Sequence, residues 1–192
     1  MRRFLPHLIA LILSVSVFSQ ARAQENCKGS KYHKVLPLKV TFGSTVKQVI
    51  KAIENKWGSN IYHLKLSETE TTVRLRLTNA PFDSILLYHI GDTVHALTFS
   101  YSDGFINSLG GDKNAITVLL DKLMEKAGRV DSHGEISTNN GSKGARARWK
   151  IDGGLQFDLR VFEPRQIFLD YDCEPLKADL IKKRAANVNL GF

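Results

Sequence analysis

Val46-Lys47-Gln48-Val49-Ile50-Lys51-Ala52-Ile53-Glu54-Asn55-Lys56-Trp57-Gly58 has a counterpart 70 residues on, in Ile116-Thr117-Val118-Leu119-Leu120-Asp121-Lys122-Leu123-Met124-Glu125-Lys126-Ala127-Gly128. Under that shift Val46, Val49, Ile50 and Ile53 fall on Ile116, Leu119, Leu120 and Leu123, and Lys56 and Gly58 on Lys126 and Gly128. Apolar positions at i, i+3, i+4 and i+7 form one stripe of an amphipathic helix. A glycine past the last turn supplies the backbone freedom that helix ends use.

The same shift lays Leu97, Phe99 and Tyr101 on Ile167, Leu169 and Tyr171, and Ile85 and Leu87 on Leu155 and Phe157, at strand spacing. With two residues inserted, Arg74-Leu75-Arg76-Leu77 matches Arg146-Ala147-Arg148-Trp149. Blocks repeated in one order point to a duplicated unit. The reading is α+β: two tandem repeats, each a helix packed on a three- or four-stranded antiparallel sheet, plus a C-terminal helix. The first has a helix over 44–57 and strands over 61–66, 72–78, 84–90 and 94–102. The second has a helix over 113–127 and strands over 130–137, 145–151, 155–162 and 166–173. Val35 to Thr41 adds a leading strand, Asp103 to Gly111 a linker, and Pro175 to Asn187 a closing basic helix.

Composition agrees with a globular chain. Its 192 residues are 43% hydrophobic and 24% charged, with only two cysteines and five prolines, which excludes disorder, a collagen-like fibre and a disulfide-dense miniprotein. Arg2 and Arg3, the apolar run Phe4 to Phe18 and Ala21-Arg22-Ala23 have the anatomy of a signal peptide over 1–23, cleaved before Gln24. About 15 apolar residues fall short of the ~20 that span a bilayer. No small-residue lipobox precedes Cys27. With Arg2, Arg3 and Arg22 removed and no acid lost, the formal charge falls from +8 to +5. The expected organisation is thus a signal peptide, a first repeat over 24–103 and a second over 104–192, in a periplasmic or secreted protein. Export to an oxidising compartment would pair Cys27 with Cys173 as a structural staple.

The element order resembles the tandem helix-plus-four-strand architecture of the secreted β-lactamase inhibitor protein. Each unit is also similar to the small lipoprotein of the outer-membrane β-barrel assembly machinery. The resemblance spans nearly the whole mature chain and rests on element order and apolar spacing. It implies a binding scaffold with helices on one sheet face and the other face free.

Alternation defines that free face. In Ala145 to Ile151 the odd positions are apolar and Arg146, Arg148 and Lys150 are basic; Val73, Leu75 and Leu77 alternate likewise with Arg74 and Arg76. Gln156, Asp158, Arg160, Phe168, Asp170 and Asp172 share the outward side, with Phe168 as a candidate anchor. The expected binding set is Arg74, Arg76, Arg146, Arg148, Lys150 and Phe168, facing an acidic protein partner. An anionic envelope glycan, lipid or small ligand is the alternative; the same charges also serve solubility. Nucleic acid is excluded, because no stacking aromatics interleave the basic residues.

No catalytic residue, metal site or cofactor is expected. Ser44-Thr45-Val46-Lys47 fits S-x-x-K at a helix start, but Asn114 stands 70 residues on, so both Ser44 and Asn114 read as helix caps. His89 and His95 flank the Gly91-Asp92 turn. A three-residue loop would let them face each other; a two-residue loop would put them on opposite faces. Asn140-Gly141-Ser142 forms a glycosylation sequon in a polar loop, and Gly110-Gly111 precedes the second helix.

Overall fold

The apolar stripe of the opening segment does form a helix, α1 (Val46–Trp57), with Val49 and Ile53 buried. It begins at a capping box: the Gln48 backbone N–H donates to the Thr45 hydroxyl at 3.2 Å, and the Thr45 N–H donates back to the Gln48 amide oxygen at 2.8 Å. It stops at Gly58, whose φ of 92° an L side chain rarely adopts. Ser44 is therefore not the cap. The computed structural model describes residues 27, 36–38, 40–58, 61–75, 80–138, 141–151, 154–163 and 165–189. The expected signal peptide, Arg76, Asn139 and Asn140 lie outside them.

Strands β1 (Ile61–Lys65), β2 (Glu70–Leu75), β3 (Phe82–Ile90) and β4 (Thr93–Tyr101) follow α1. Then come α2 (Asp103–Ser108), α3 (Asp112–Ala127), β5 (Ser132–Ser137), β6 (Lys143–Ile151), β7 (Leu155–Phe162), β8 (Gln166–Cys173) and α4 (Glu174–Asn189). Most of the expected linker is thus the short helix α2, capped by the Ser102 side chain. Gly111, not Asn114, caps α3, and it does so without a side chain. Pro175 sits in the first turn of α4, where its missing N–H costs no helix bond. Among the described residues from Leu36 to Thr41 there is no strand.

The eight strands form one antiparallel sheet in the order β1-β2-β3-β4-β8-β7-β6-β5, not two separate sheets. The join is the β4–β8 pair, where Leu97 lies opposite Tyr171 and Phe99 opposite Leu169. All four are at most 2% exposed, and two separate sheets would leave these strand edges bare of partners. Aromatic contacts cross the seam on the helix-covered side: Phe82 to Phe99 (4.9 Å), Phe99 to Tyr171 (5.8 Å), Tyr171 to Phe157 (5.7 Å) and Phe157 to Trp149 (4.7 Å). Trp149 donates its indole N–H to the Gly128 carbonyl at 3.0 Å, tying β6 to the end of α3. Cys27 is disulfide-bonded to Cys173 with Cα atoms 6.2 Å apart, so the staple expected from the sequence is present. No helix among the described residues is long and apolar enough to cross a membrane.

Candidate functional site

The sheet's other face carries the residues that the sequence singled out, and the register places them in rows across the strands. One row runs Arg148, Asp158, Asp170, Thr98 from β6 through β7 and β8 to β4. The next runs Arg146, Arg160, Phe168, Ser100, Ser84, Arg74. Arg74 and Arg146 therefore belong to one row but stand five strand spacings apart, about 24 Å. The two basic clusters do not merge into one patch.

Neighbouring strands neutralise two of the arginines on this face. Arg148 donates two hydrogen bonds to Asp158, at 2.7 and 2.6 Å. Arg160 grips Asp170 in the same forked manner, one bond at 2.8 Å and a shorter one from Nε. Thr98 adds a 2.5 Å hydroxyl bond to Asp170. These bonds to carboxylates raise the pKa of both arginines above the ordinary guanidinium value. Arg160 also covers the rings of Phe162 and Phe168, at 5.8 and 5.4 Å to their centroids. Phe168 is accordingly half-buried, with an edge against Phe162, and is not a free-standing anchor.

What remains is Arg146, half-buried, beside Gly134 on one side and Arg160 on the other, with no acidic partner among the described residues. Lys150 and Arg74 are exposed and likewise without an ion pair there. Arg146 lies in a shallow concavity of 470 Å³ that Arg148, Gln156, Tyr88, His95 and Lys177 also line. Burial raises the Tyr88 pKa, so its hydroxyl stays protonated at neutral pH.

The histidine pair resolves as the two-residue loop requires. Ile90 pairs with Thr93 around Gly91-Asp92, and a bulge follows at Tyr88/His89. His89 faces the helix side and shares a 3.1 Å bond with the Thr71 hydroxyl. His95 faces the open side, its Nδ1 3.7 Å from Asp172 Oδ1. Burial alone would raise the Asp172 carboxyl, but His95, Glu174 and Lys177 outweigh it and hold the group below the usual carboxylate range. No group of three or more His, Cys, Asp or Glu able to hold a metal occurs among the described residues. Ser44 has its hydroxyl 3.4 Å from that of Thr41, and Lys47 points into solvent.

The sequence reading placed the open-face residues on one side but missed the pairings that decide which of them are available. Like-with-unlike spacing gave a hint: Arg148 and Arg160 each precede an aspartate by ten residues, the separation of partners across a short hairpin. No family model, curated protein or solved structure matches the chain, so the resemblance in element order assigns it no role.

Proposed function

We propose that this is an exported, non-enzymatic protein-binding module that engages an acidic partner through the open sheet face. The observation that carries the reading is Arg146: a half-buried guanidinium in a concavity, unpaired among the described residues, while Arg148 and Arg160 beside it are saturated by Asp158 and Asp170. A carboxylate from a partner would complete a forked pair there, and the fixed ion-pair lattice around it would hold the arginine in position. Lys150 and Phe168 border the contact. Arg148 supports it through Asp158, and Arg74 belongs to a separate part of the face. Periplasmic or secreted location fits the leader at 1–23 and the Cys27–Cys173 bond.

We further infer that the two halves are tandem repeats. The order helix–four strands occurs twice, and strand neighbours read symmetrically outward from β4–β8. The function is tested with the disulfide-bonded protein immobilised against envelope extract. A partner should be retained at fixed stoichiometry, lost on Arg146→Glu and kept on Lys47→Glu, which alters only an exposed α1 position. Charge reversal at Arg146 and Arg148 that leaves both fold and capture unchanged would sink the proposal.

A further inference from the structure

A strand at the end of a sheet carries a row of backbone N–H and C=O groups that no neighbour takes up. The two outer strands here are β1 and β5. Opposed residues of an antiparallel pair alternate between those that exchange backbone hydrogen bonds and those that do not. The Leu66 N–H donates to the Glu70 carbonyl at 2.9 Å, and Leu66 continues the register that sets Lys65 opposite Thr71 and Leu64 opposite Thr72. Leu66, Leu64 and Tyr62 therefore bond inward to β2, and Lys65, His63 and Ile61 turn their N–H and C=O groups outward. The far side of β2 agrees. The His89 N–H donates to the Thr69 carbonyl at 2.8 Å, so Thr71 and Val73 bond towards β3, and Thr72 and Arg74 towards β1. Among the described residues β1 has no strand neighbour besides β2.

The side chains of this edge differ from those of the opposite one. Tyr62, Leu64 and Leu66 alternate onto the open sheet face, beside Arg74, Thr72 and Glu70 of β2, and are 43%, 50% and 51% exposed. On β5 the open-face positions are Ser132, Gly134 and Ile136, so that edge has no apolar row. Sheets usually blunt an edge with charge, proline or a bulge. Strand β1 carries one charge, Lys65, and no proline, and its register with β2 is unbroken. Apolar residues scattered singly over a surface need no explanation, but a row of them beside bare backbone groups marks a pairing site.

We propose that β1 pairs antiparallel with β1 of a second copy of this chain, about a two-fold axis at Leu64, so that the two sheets join into one. That register sets Leu64 against the second copy's Leu64 and Tyr62 against its Leu66, and the apolar rows of both copies close over one another on the open face. It sets His63 against the second copy's Lys65, so the outward backbone groups of both residues find partners and no two lysines stand opposed. The charges one strand inward match as well. Each outer row across the join runs Arg74, Tyr62, then the second copy's Leu66 and Glu70, with opposite charges at its two ends. A contact of β1 with β5 would lose the apolar row and, being head-to-tail, would grow into a filament instead of closing. The inference is independent of the Arg146 contact, since β6 lies six strand spacings from β1, about 29 Å.

The test is sedimentation velocity of the disulfide-bonded protein from about 1 to 500 μM. A reversible monomer–dimer equilibrium is expected, with a dissociation constant of about 1–100 μM, in keeping with a short edge contact. Leu64→Lys, which opposes two lysines at the axis, should weaken it at least about tenfold, and Arg146→Glu should leave it unchanged. Cross-linking reads the register. Folded Leu64→Cys protein, once oxidised, should form a disulfide-linked dimer, because opposed Cβ atoms lie about 4.5–5.5 Å apart. His63→Cys should not, because the two positions 63 sit diagonally, about 7–8 Å apart. Near-ultraviolet circular dichroism should be unchanged in each variant. The proposal fails if the unaltered protein stays monomeric throughout, if it grows beyond a dimer, if Leu64→Lys leaves the equilibrium intact, or if His63→Cys cross-links as readily as Leu64→Cys. A monomer that instead takes an extended segment of another protein along β1 would also overturn it. Sedimentation of the unaltered protein stands even where a variant fails to fold.

Discussion

Arg148 and Asp158 show how a charged residue can belong to the fold while sitting on a face open to partners. The aspartate side chain is 10% exposed and the arginine 28%, so the pair is neither a solvated ornament nor a wholly desolvated one. Removing one member leaves the other partly buried and uncompensated. Asp158→Ala should therefore cost about 1–3 kcal/mol in urea unfolding, less than the loss for a fully buried pair. Arg148→Met with Asp158→Leu, which removes both charges, should lie nearer to the unaltered protein than the single change does. Asp172 gives a prediction in pH. Its pKa is lower folded than unfolded, so ionisation favours the native state; that contribution is complete above the unfolded value of about 4 and disappears as pH falls through the folded one. Stability measured by denaturant titration should decline from about pH 4 downward, and Asp172→Asn should lack that part of the decline.

Local grammar governs the helices, and a one-residue shift in it is measurable. Thr45→Ala removes the acceptor of the α1 capping box and should cost about 1 kcal/mol, whereas Ser44→Ala should stay within about 0.5 kcal/mol. The T-x-x-Q spacing of Thr45 and Gln48 was itself a signal for the true cap, overlooked because Ser44 matched a catalytic motif and an equally good cap type. In the strands the corresponding point is Gly144, opposite Phe162 in the β6–β7 register. A Cβ there would collide with the Val161 carbonyl oxygen and the Phe162 ring, so Gly144→Ala should force β6 to shift and lower stability by about 1–3 kcal/mol, read by thermal and urea unfolding. Period and alternation made the elements legible, because each is a property of adjacent residues: strands 155–162 and 166–173 could be bounded directly from Leu155, Phe157, Leu159 and Ile167, Leu169, Tyr171. The β4–β8 pairing was not legible, since Leu97 and Tyr171 are each explained by their own strand whichever neighbour they acquire. For the same reason the candidate site was half visible. The side of each arginine follows from alternation, but its partner follows from register.

The join at β4–β8 decides whether the halves behave as one body. Were each half a domain with its own core, the seam would be a polar surface contact, as between domains that move independently. Instead Phe99 and Tyr171 meet edge to face across it, both essentially unexposed, and the core passes from α1 to α3 without a polar break. The Cys27–Cys173 bond ends on β8, at the seam, so it anchors the leading segment to the centre of the molecule. Replacing both cysteines by serine should lower stability by about 4–5 kcal/mol on the chain-entropy account, with both halves affected alike. The chain supplies a probe for each half, because its two tryptophans are Trp57 at the end of α1 and Trp149 in β6. In Trp57→Phe the fluorescence of Trp149 reports the second half; in Trp149→Phe that of Trp57 reports the first. Trp149→Phe also removes a buried hydrogen bond to Gly128 and should shift its own midpoint downward. Within each variant, however, the fluorescence and far-ultraviolet midpoints should coincide, because a sheet hydrogen-bonded across β4–β8 with one shared core unfolds as a single cooperative unit. Separate midpoints in either variant would mean that the seam does not couple the halves and that each half is stable by itself.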